Sequence, residues 1–329
     1  MTLASLLGDQ ADGPAAVVVI GGANLDHKSH TLAPPIGGTS NPGRTRTTPG
    51  GVGRNVAENL ARLGLRTSLV SAIGTDVEGI RLAAETAAAG VDVRHGVRTA
   101  APTGSYTAIM DDRGEMVIAV SAMEAMREIT VAVVDGLRNL ISEARFLVLD
   151  CNVPGDALQR AAEIAGEFRI PIVADPVSVA KSGALSGLMA AGLPIHTVTP
   201  NIAELHALTG ASGSGDRELR DAAELLHDRA VQNVWVRLGA SGSFLSSVHE
   251  QNRRSERLDA FPATLVDVTG AGDAMLAGYV AGLLAGLDPF AAALYGGAAA
   301  AITVESPHTV DPALDFAALS ARVALHRTR

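Results

Sequence analysis

The sequence predicts an α/β fold: a mostly parallel central sheet with helices on both faces, carrying a second, smaller sheet. Three observations point there. Short apolar runs of strand length alternate with helix-length segments through most of the chain, and that alternation produces parallel sheets with crossover helices. Residues 91–123 instead alternate polar and apolar character and turn at Asp111-Asp112-Arg113-Gly114, the pattern of a hairpin standing apart from the parallel strands. Finally, Val266-Asp267-Val268-Thr269-Gly270-Ala271-Gly272-Asp273 leads from an apolar segment through a Gly-rich turn into an apolar, Pro-free run up to Leu284. That run reads as a buried helix.

In chain order, Val17-Val18-Val19-Ile20 is a buried first strand, ending in Gly21-Gly22 with Asn24 and Asp26 just beyond. Polar groups at the C-terminal end of a central strand are where α/β sheets bind ligands. Residues 27–49 are rich in Pro, Gly, Thr and Ser and read as irregular, too long for a simple connection and therefore a functional loop or lid. Gly53–Leu63 is a helix with Val56, Leu60 and Leu63 on one face and Gly64 at its C-terminal end. Ser68–Ile73 is a strand and Asp76–Ala89 a helix. The hairpin pairs Ser105–Met110 with Met116–Val120. Together, segments of about 27–49 and 98–121 are expected to form a small sheet over a single domain spanning 1–329.

Beyond the hairpin, strands are expected at Phe146–Asp150, Ile170–Asp175, His196–Thr199 and Asn233–Leu238, with helices at about 130–143, 156–168, 178–191, 201–209 and 216–230. Ser243–Val248 and Ala263–Asp267 read as edge strands around a polar loop. Helices Ala271–Leu284, Pro289–Val304 and Ala313–His326 close the chain.

Composition narrows the function classes. A chain of 329 residues, 47% hydrophobic and 19% charged, buries a large core and does not resemble a disordered one. With 26 basic and 35 acidic residues its formal charge is −9, and no Lys/Arg block marks a nucleic-acid surface. Arg253, Arg254 and Arg257 cluster, in what reads as a solvated loop. The single cysteine, Cys151, rules out an intrachain disulfide and reads as a buried, inert thiol. No apolar stretch is both long and Gly-poor enough to span a membrane. The first sixteen residues lack the basic start and apolar core of a signal peptide, so a cytoplasmic location is expected.

The chemistry concentrates in the 267–273 turn. Gly270 and Gly272 let the backbone turn tightly and a ligand approach closely. The first turn of the following helix leaves N–H groups without partners at a positive dipole end, a site for an anion such as phosphate. Asp273 is the residue that does not fit anion binding alone. It is either a helix-capping carboxylate or a base that takes a proton from an attacking hydroxyl. The chain has neither a Gly-x-x-x-x-Gly-Lys-Ser/Thr loop nor a Gly-x-Gly-x-x-Gly after a strand, so phosphate binding rests on this turn.

The segment Asp267–Gly278 resembles the C-terminal signature of the ribokinase-like (PfkB) sugar and nucleoside kinases. Gly50-Gly51-Val52-Gly53-Arg54-Asn55-Val56-Ala57, running on to Gly64, resembles their N-terminal signature. The resemblance covers roughly Val17 to Pro312 and implies a ribokinase-like three-layer α/β/α domain with a β-sheet lid. By it, Asp273 is the catalytic base, and the backbone N–H groups around Gly270, Ala271 and Gly272 stabilise the transferring phosphoryl group. Asn201 and Glu204, in Pro200-Asn201-Ile202-Ala203-Glu204, match an Asn-x-x-Glu motif. Glu204 would orient Mg²⁺ through water and Asn201 would reach phosphate oxygens, although an N-cap Asn with a first-turn Glu is a common pairing of its own. Leu238-Gly239-Ala240-Ser241-Gly242 resembles the nucleotide-side loop, with Gly239 and Gly242 at the ATP, or else it is a plain turn. Arg237, also placed at the ATP by the resemblance, stands where many relatives carry Thr or Lys. The Asp267 and Thr269 carbonyls, with the 304–308 loop, resemble a monovalent-cation (K⁺) site. Asn24, Asp26, Gly51 and Asn55 would hold the acceptor, with Asn152 either a further contact or a turn residue.

Within the family, the resemblance is greatest to the branch that phosphorylates pseudouridine. It rests on Gly21–Asp26, Ser40-Asn41-Pro42-Gly43, Gly50–Leu60, Pro102–Tyr106, Asp175–Lys181 and Ser306–Val310. The implied reaction is ATP-dependent phosphorylation of the 5′-hydroxyl of pseudouridine. Ribose, adenosine or inosine as acceptor, or a non-catalytic nucleoside-binding regulator, remain alternatives. Ser40 and Asn41 would read the uracil edge, with Thr103 or Tyr106 over the nucleoside, though turn chemistry alone also explains Ser40–Gly43. Lys181 would neutralise phosphate charge, unless it is a solvated lysine at a helix start. Aromatic residues make up only 3% of the chain, so base recognition is expected to be mainly polar. A homodimer through the lid and a pathway partnership with a glycosidase acting on the product are further implications. Some relatives carry an N-terminal DNA-binding extension, for which about sixteen residues before the first strand are too few.

Overall fold

The computed structural model describes residues 16–249 and 252–327. The first fifteen residues, expected to carry no leader and no extension, lie outside the described ones. In chain order the strands are β1 (Val17–Ile20), β2 (Asn24–Thr31), β3 (Gly43–Gly50), β4 (Thr67–Val70), β5 (Ala72–Gly74), β6 (Val97–Thr99), β7 (Ser105–Met110), β8 (Met116–Ala122), β9 (Phe146–Asp150), β10 (Ile172–Asp175), β11 (Ile195–Val198), β12 (Val231–Arg237), β13 (Ser243–His249) and β14 (Asn252–Leu258).

The main sheet has eight strands in the order β14-β13-β12-β11-β10-β9-β1-β4. β4, β1, β9, β10, β11 and β12 are parallel; β13 and β14 run antiparallel at one edge. Every residue of β1 and β9 is buried, as continuous apolar runs require when both faces are covered. The faces separate by strand period: Val18, Ile20, Leu147 and Leu149 enter one core, while Val17, Val19, Phe146 and Val148 enter the other. The second core takes the Val52–Arg62 helix through Val56 and Leu60 and the Ala271–Leu284 helix through Leu276 and Val280. This is the expected three-layer α/β/α arrangement with a mostly parallel sheet. Cys151 is buried, and burial pushes its thiol pKa up. Among the described residues no helix is long and apolar enough to cross a membrane.

The second sheet has the order β3-β2-β7-β8. Segment 27–49 is therefore not irregular. It supplies most of β2 and β3, paired antiparallel from Asn24↔Gly50 to Thr31↔Gly43. Its Thr-rich, polar strands lack an apolar repeat because most of their residues, on both faces of the sheet, stay at least partly exposed. On the other side β2 pairs parallel with β7, placing Asp26 between Thr48 and Tyr106.

Several boundaries also move. Ala263–Asp267 forms no strand, and the edge is β14, which carries Arg253, Arg254 and Arg257. The trio is thus in a strand rather than a loop; an edge strand tolerates such charge because one side of it has no neighbour. The expected 130–143 helix is two short ones, Val131–Gly136 and Arg138–Ser142. The 178–191 helix begins only at Gly183. Upstream of it, Asp175-Pro176-Val177-Ser178 makes a tight turn with Val177 at φ 65 and the Ser178 N–H donating to the Pro176 carbonyl at 2.7 Å. A β-branched residue in that region is strained and is held there by its surroundings.

Candidate active site

The Ala271–Leu284 helix starts from Gly270, whose φ of 81 only glycine adopts freely. A Cβ there would also run into the Thr309 carbonyl. No side chain caps this helix, so its first turn offers backbone donors to a ligand. Asp273 lies in that turn without capping it. Its Oδ2 accepts from Asn55 Nδ2 at 2.7 Å, and the residue is 9% exposed. Burial is the main cause that pushes its pKa up to about 7. The charges of Asp175 and Asp150 add to the rise, while the Asn55 hydrogen bond and Arg237 offset part of it. A carboxyl group poised there exchanges a proton readily near neutral pH.

Asn55 is placed by a junction of backbone and carboxylate. Asp150, the last residue of β9, accepts from the N–H groups of Gly22 at 2.8 Å and Gly53 at 2.7 Å. It thereby ties the end of β1 to the start of the Val52–Arg62 helix. Burial pushes Asp150 up to about 6 against these hydrogen bonds. On β2, Asn24 Nδ2 donates to Asp26 Oδ1 at 2.7 Å, and burial raises the Asp26 pKa. A Cβ at Gly50 would collide with the Asp26 carboxylate. The two signature segments, far apart in sequence, thus meet at the Asn55–Asp273 hydrogen bond.

On the far side of the turn, Arg237 at the end of β12 bridges Asp175 Oδ2 at 3.1 Å and Glu204 Oε2 at 3.0 Å. Asn201 and Glu204 form a full capping box: each side chain accepts the other's backbone N–H at 2.9 Å. Capping therefore accounts for this pairing, and Glu204 does more than cap because it also holds Arg237. Lys181 Nζ donates to Asn152 Oδ1 at 2.5 Å and is half-buried rather than solvated, with its pKa lowered by burial.

The profile of the family described as "pfkB family carbohydrate kinase" matches residues 14–315. The chain belongs to the pfkB family. It is 32% identical over 303 residues to a protein named pseudouridine kinase from Escherichia coli K12, covering 92% of this chain and 94% of that one. It is 34% identical over 298 residues to an uncharacterized sugar kinase, YeiI, of the same organism, covering 90% and 80%. Among solved structures it superposes with a TM-score of 0.81 on Arabidopsis thaliana ribokinase complexed with ribose and ATP, at 23% identity over 94% of this chain and 99% of that one. The protein is a kinase of the sugar and nucleoside class.

Not every candidate residue of this pfkB kinase joins the cluster. Asn41 closes its own loop: its amide donates to the carbonyls of Ile36 at 2.9 Å and Thr39 at 3.2 Å and accepts from the Ile36 N–H at 2.9 Å. Ser40 is exposed beside it. The Thr103 hydroxyl is held by Asp76, the N-cap of the Val77–Ala88 helix, at 2.5 Å. Tyr106 shares the face of the second sheet that carries Asp26, with its hydroxyl 3.9 Å from Met116 Sδ. Gly239–Ser241 forms a short 3-10 turn, with Gly242 at φ 81 against the Leu258 carbonyl. The Asp267 side chain is occupied by the Thr269 N–H and hydroxyl at 2.9 and 2.7 Å and by Lys28 Nζ of β2 at 3.1 Å. The Val304 carbonyl accepts from the Val266 N–H at 2.7 Å.

Three members escaped the sequence reading. Asp150 and Asp175 each end an apolar strand with a carboxylate, a signal visible in Phe146–Asp150 and Ile172–Asp175. Lys28 gave none, because its partners are more than two hundred residues away.

Proposed function

We propose that this kinase transfers the terminal phosphoryl group of ATP to the 5′-hydroxyl of pseudouridine, within a single domain whose four-stranded sheet serves as lid. The observation that carries the chemistry is Asp273: a buried carboxylate with a pKa near 7, held by Asn55 in the first turn of an uncapped helix. In the reaction, Asp273 takes the acceptor proton as the hydroxyl attacks. The N–H groups around Gly270, Ala271 and Gly272 receive the charge spreading over the equatorial oxygens. Asn24, Asp26, Gly51, Asn55 and Asn152 surround the sugar, where amides and a carboxylate match hydroxyls that both donate and accept.

Asn201, Lys181, Gly239 and Gly242 lie on the nucleotide side. Glu204, a buried carboxylate whose Oε2 already holds Arg237 and the Asn201 N–H, would orient Mg²⁺ through water, since a hard cation of this kind keeps several waters and takes the rest of its shell from substrate phosphates. A Mg²⁺ ion held there would neutralise phosphate charge. The Asp267 and Thr269 carbonyls back the turn as a monovalent-cation site, where Lys28 already brings one ammonium group to Asp267.

Pseudouridine is favoured over other acceptors by the 32% identity to a protein of that name and by the Ser40–Gly43 segment. Pseudouridine has one more ring N–H donor than uridine, and a site that partners that donor rejects the analogue lacking it. Asn41 holds the loop and exposed Ser40 meets the base, with Thr103 and Tyr106 behind. The outer face of the lid sheet, where Ile118 and Val120 are 58% and 60% exposed, suits a second copy of the chain. The phosphorylated product is a substrate for a glycosidase acting next. Steady-state kcat/KM with ATP for pseudouridine, uridine, ribose, adenosine and inosine tests the assignment. Pseudouridine is expected to lead by at least tenfold, about 1.4 kcal/mol. A better rate with ribose or adenosine refutes the acceptor, and no ATP turnover with any of the five refutes phosphorylation of this class.

A further inference from the structure

Arg237 is placed as though guarding the anion turn. Its backbone is pinned: its N–H donates to the Pro200 carbonyl at 2.8 Å, and it bridges to Asn201. Its guanidinium lies directly over Gly272, where a Cβ would come within 2.6 Å of Nη1. Gly272 has no left-handed φ to explain it, so the glycine is required by the space the arginine fills. Nη1 and Nη2 are held by Asp175 and Glu204. Nε is buried with no partner, on a side chain only 18% exposed. An unmet buried donor on a charged group is costly, and an anion entering the turn is the natural acceptor.

Charge points the same way. Asp150, Asp175, Glu204 and Asp273 are all buried around this turn, and a polyphosphate approaching four carboxyl groups is repelled unless a cation faces it. Arginine offers a rigid fork of five donors that suits phosphoryl oxygens in a way that lysine's point charge does not.

We propose that Arg237 is a catalytic residue that leaves its carboxylate partners to grip the phosphoryl group in flight, an arginine finger supplied from within the chain. The step, resting on the kinase reading above, balances as follows. The acceptor oxygen forms a bond to the γ-phosphorus, and the bond from that phosphorus to the β,γ-bridging oxygen breaks. ADP leaves with the electron pair, and the acceptor proton passes to Asp273. Negative charge on the equatorial oxygens is greatest between these events, where the guanidinium and the backbone donors of the turn meet it.

The test compares wild type, Arg237→Thr and Arg237→Lys in calorimetric binding of MgADP, with and without aluminium fluoride, in the presence of pseudouridine. Aluminium fluoride with ADP mimics the phosphoryl group in transfer, and such analogues bind at least about 10²-fold more tightly than ground-state ligands. Wild type is expected to show that tightening. Arg237→Thr is expected to lose it while MgADP alone binds within about threefold of wild type, and kcat is expected to fall about 10²–10³-fold. Arg237→Lys retains the charge that Asp175 and Glu204 need for folding but lacks the fork, so its tightening should drop about tenfold. Full tightening in either variant overturns the proposal. So does an equal loss of affinity for MgADP and its fluoride complex, which makes Arg237 a ground-state anchor. If wild type itself shows no tightening, phosphoryl transfer to pseudouridine fails, and the proposal falls with it.

Discussion

Asp273→Asn separates the cost of a catalytic carboxylate from its use. Burial raises the Asp273 pKa from 3.8 to about 7. The folded protein then holds this proton more tightly than the unfolded chain. Stability from this group is full below about pH 4 and is lost as pH rises through about 7, because the native state must ionise a buried group that the unfolded chain ionises freely. A difference of roughly three units at 1.36 kcal/mol each makes the cost about 4 kcal/mol at pH 8. The amide is nearly isosteric, its oxygen still accepts from Asn55, and it does not titrate. The variant should therefore match wild type at pH 4 and exceed it by up to about 4 kcal/mol at pH 8. Turnover should fall by about 10²–10⁴-fold, the usual contribution of a general base. Urea unfolding of both proteins at pH 4 and pH 8 measures the first effect, because titrating groups that do not interact with Asp273 cancel in the difference. In wild type, kcat/KM should rise with unit slope up to about pH 7 and then level off. A stability gap independent of pH, or turnover within tenfold of wild type, would refute the reasoning.

Two further perturbations test neighbouring parts of the same argument. Gly272→Ala asks for no unusual φ but places a methyl 2.6 Å from Arg237 Nη1, so it must push the guanidinium off Asp175 and Glu204; kcat should fall about 10²-fold with a loss of thermal stability, and wild-type turnover would show that the guanidinium does not need that space. Asp150→Ala strips the acceptor from the N–H groups of Gly22, Gly53 and Asn152, so urea unfolding should report a loss of about 3 kcal/mol or more, and a loss under 1 kcal/mol would contradict the tie between β1 and the Val52–Arg62 helix.

What the sequence determined by itself follows from periodicity and from short-range chemistry. Runs such as Phe146–Asp150 can only be strands covered on both faces, so the parallel sheet was legible, as was the Gly-rich entry into the Ala271–Leu284 helix. The capping box of Asn201 and Glu204 spans four residues and was legible for the same reason. Tertiary structure decided what depends on pairing across the chain. The polar strands β2 and β3 carry no apolar repeat, because most of their residues stay at least partly exposed on both faces, and only their mutual register reveals them. The edge strand went to Asn252–Leu258, which pairs antiparallel with β13 from Ser243↔Leu258 to His249↔Asn252, rather than to Ala263–Asp267. The proton affinity of Asp273 belongs to no local motif. It arises because the folded chain buries the carboxyl group beside Asp150 and Asp175, more than its Asn55 hydrogen bond and the charge of Arg237 offset, and desolvation and Coulomb interactions exist only once those distant groups are brought together.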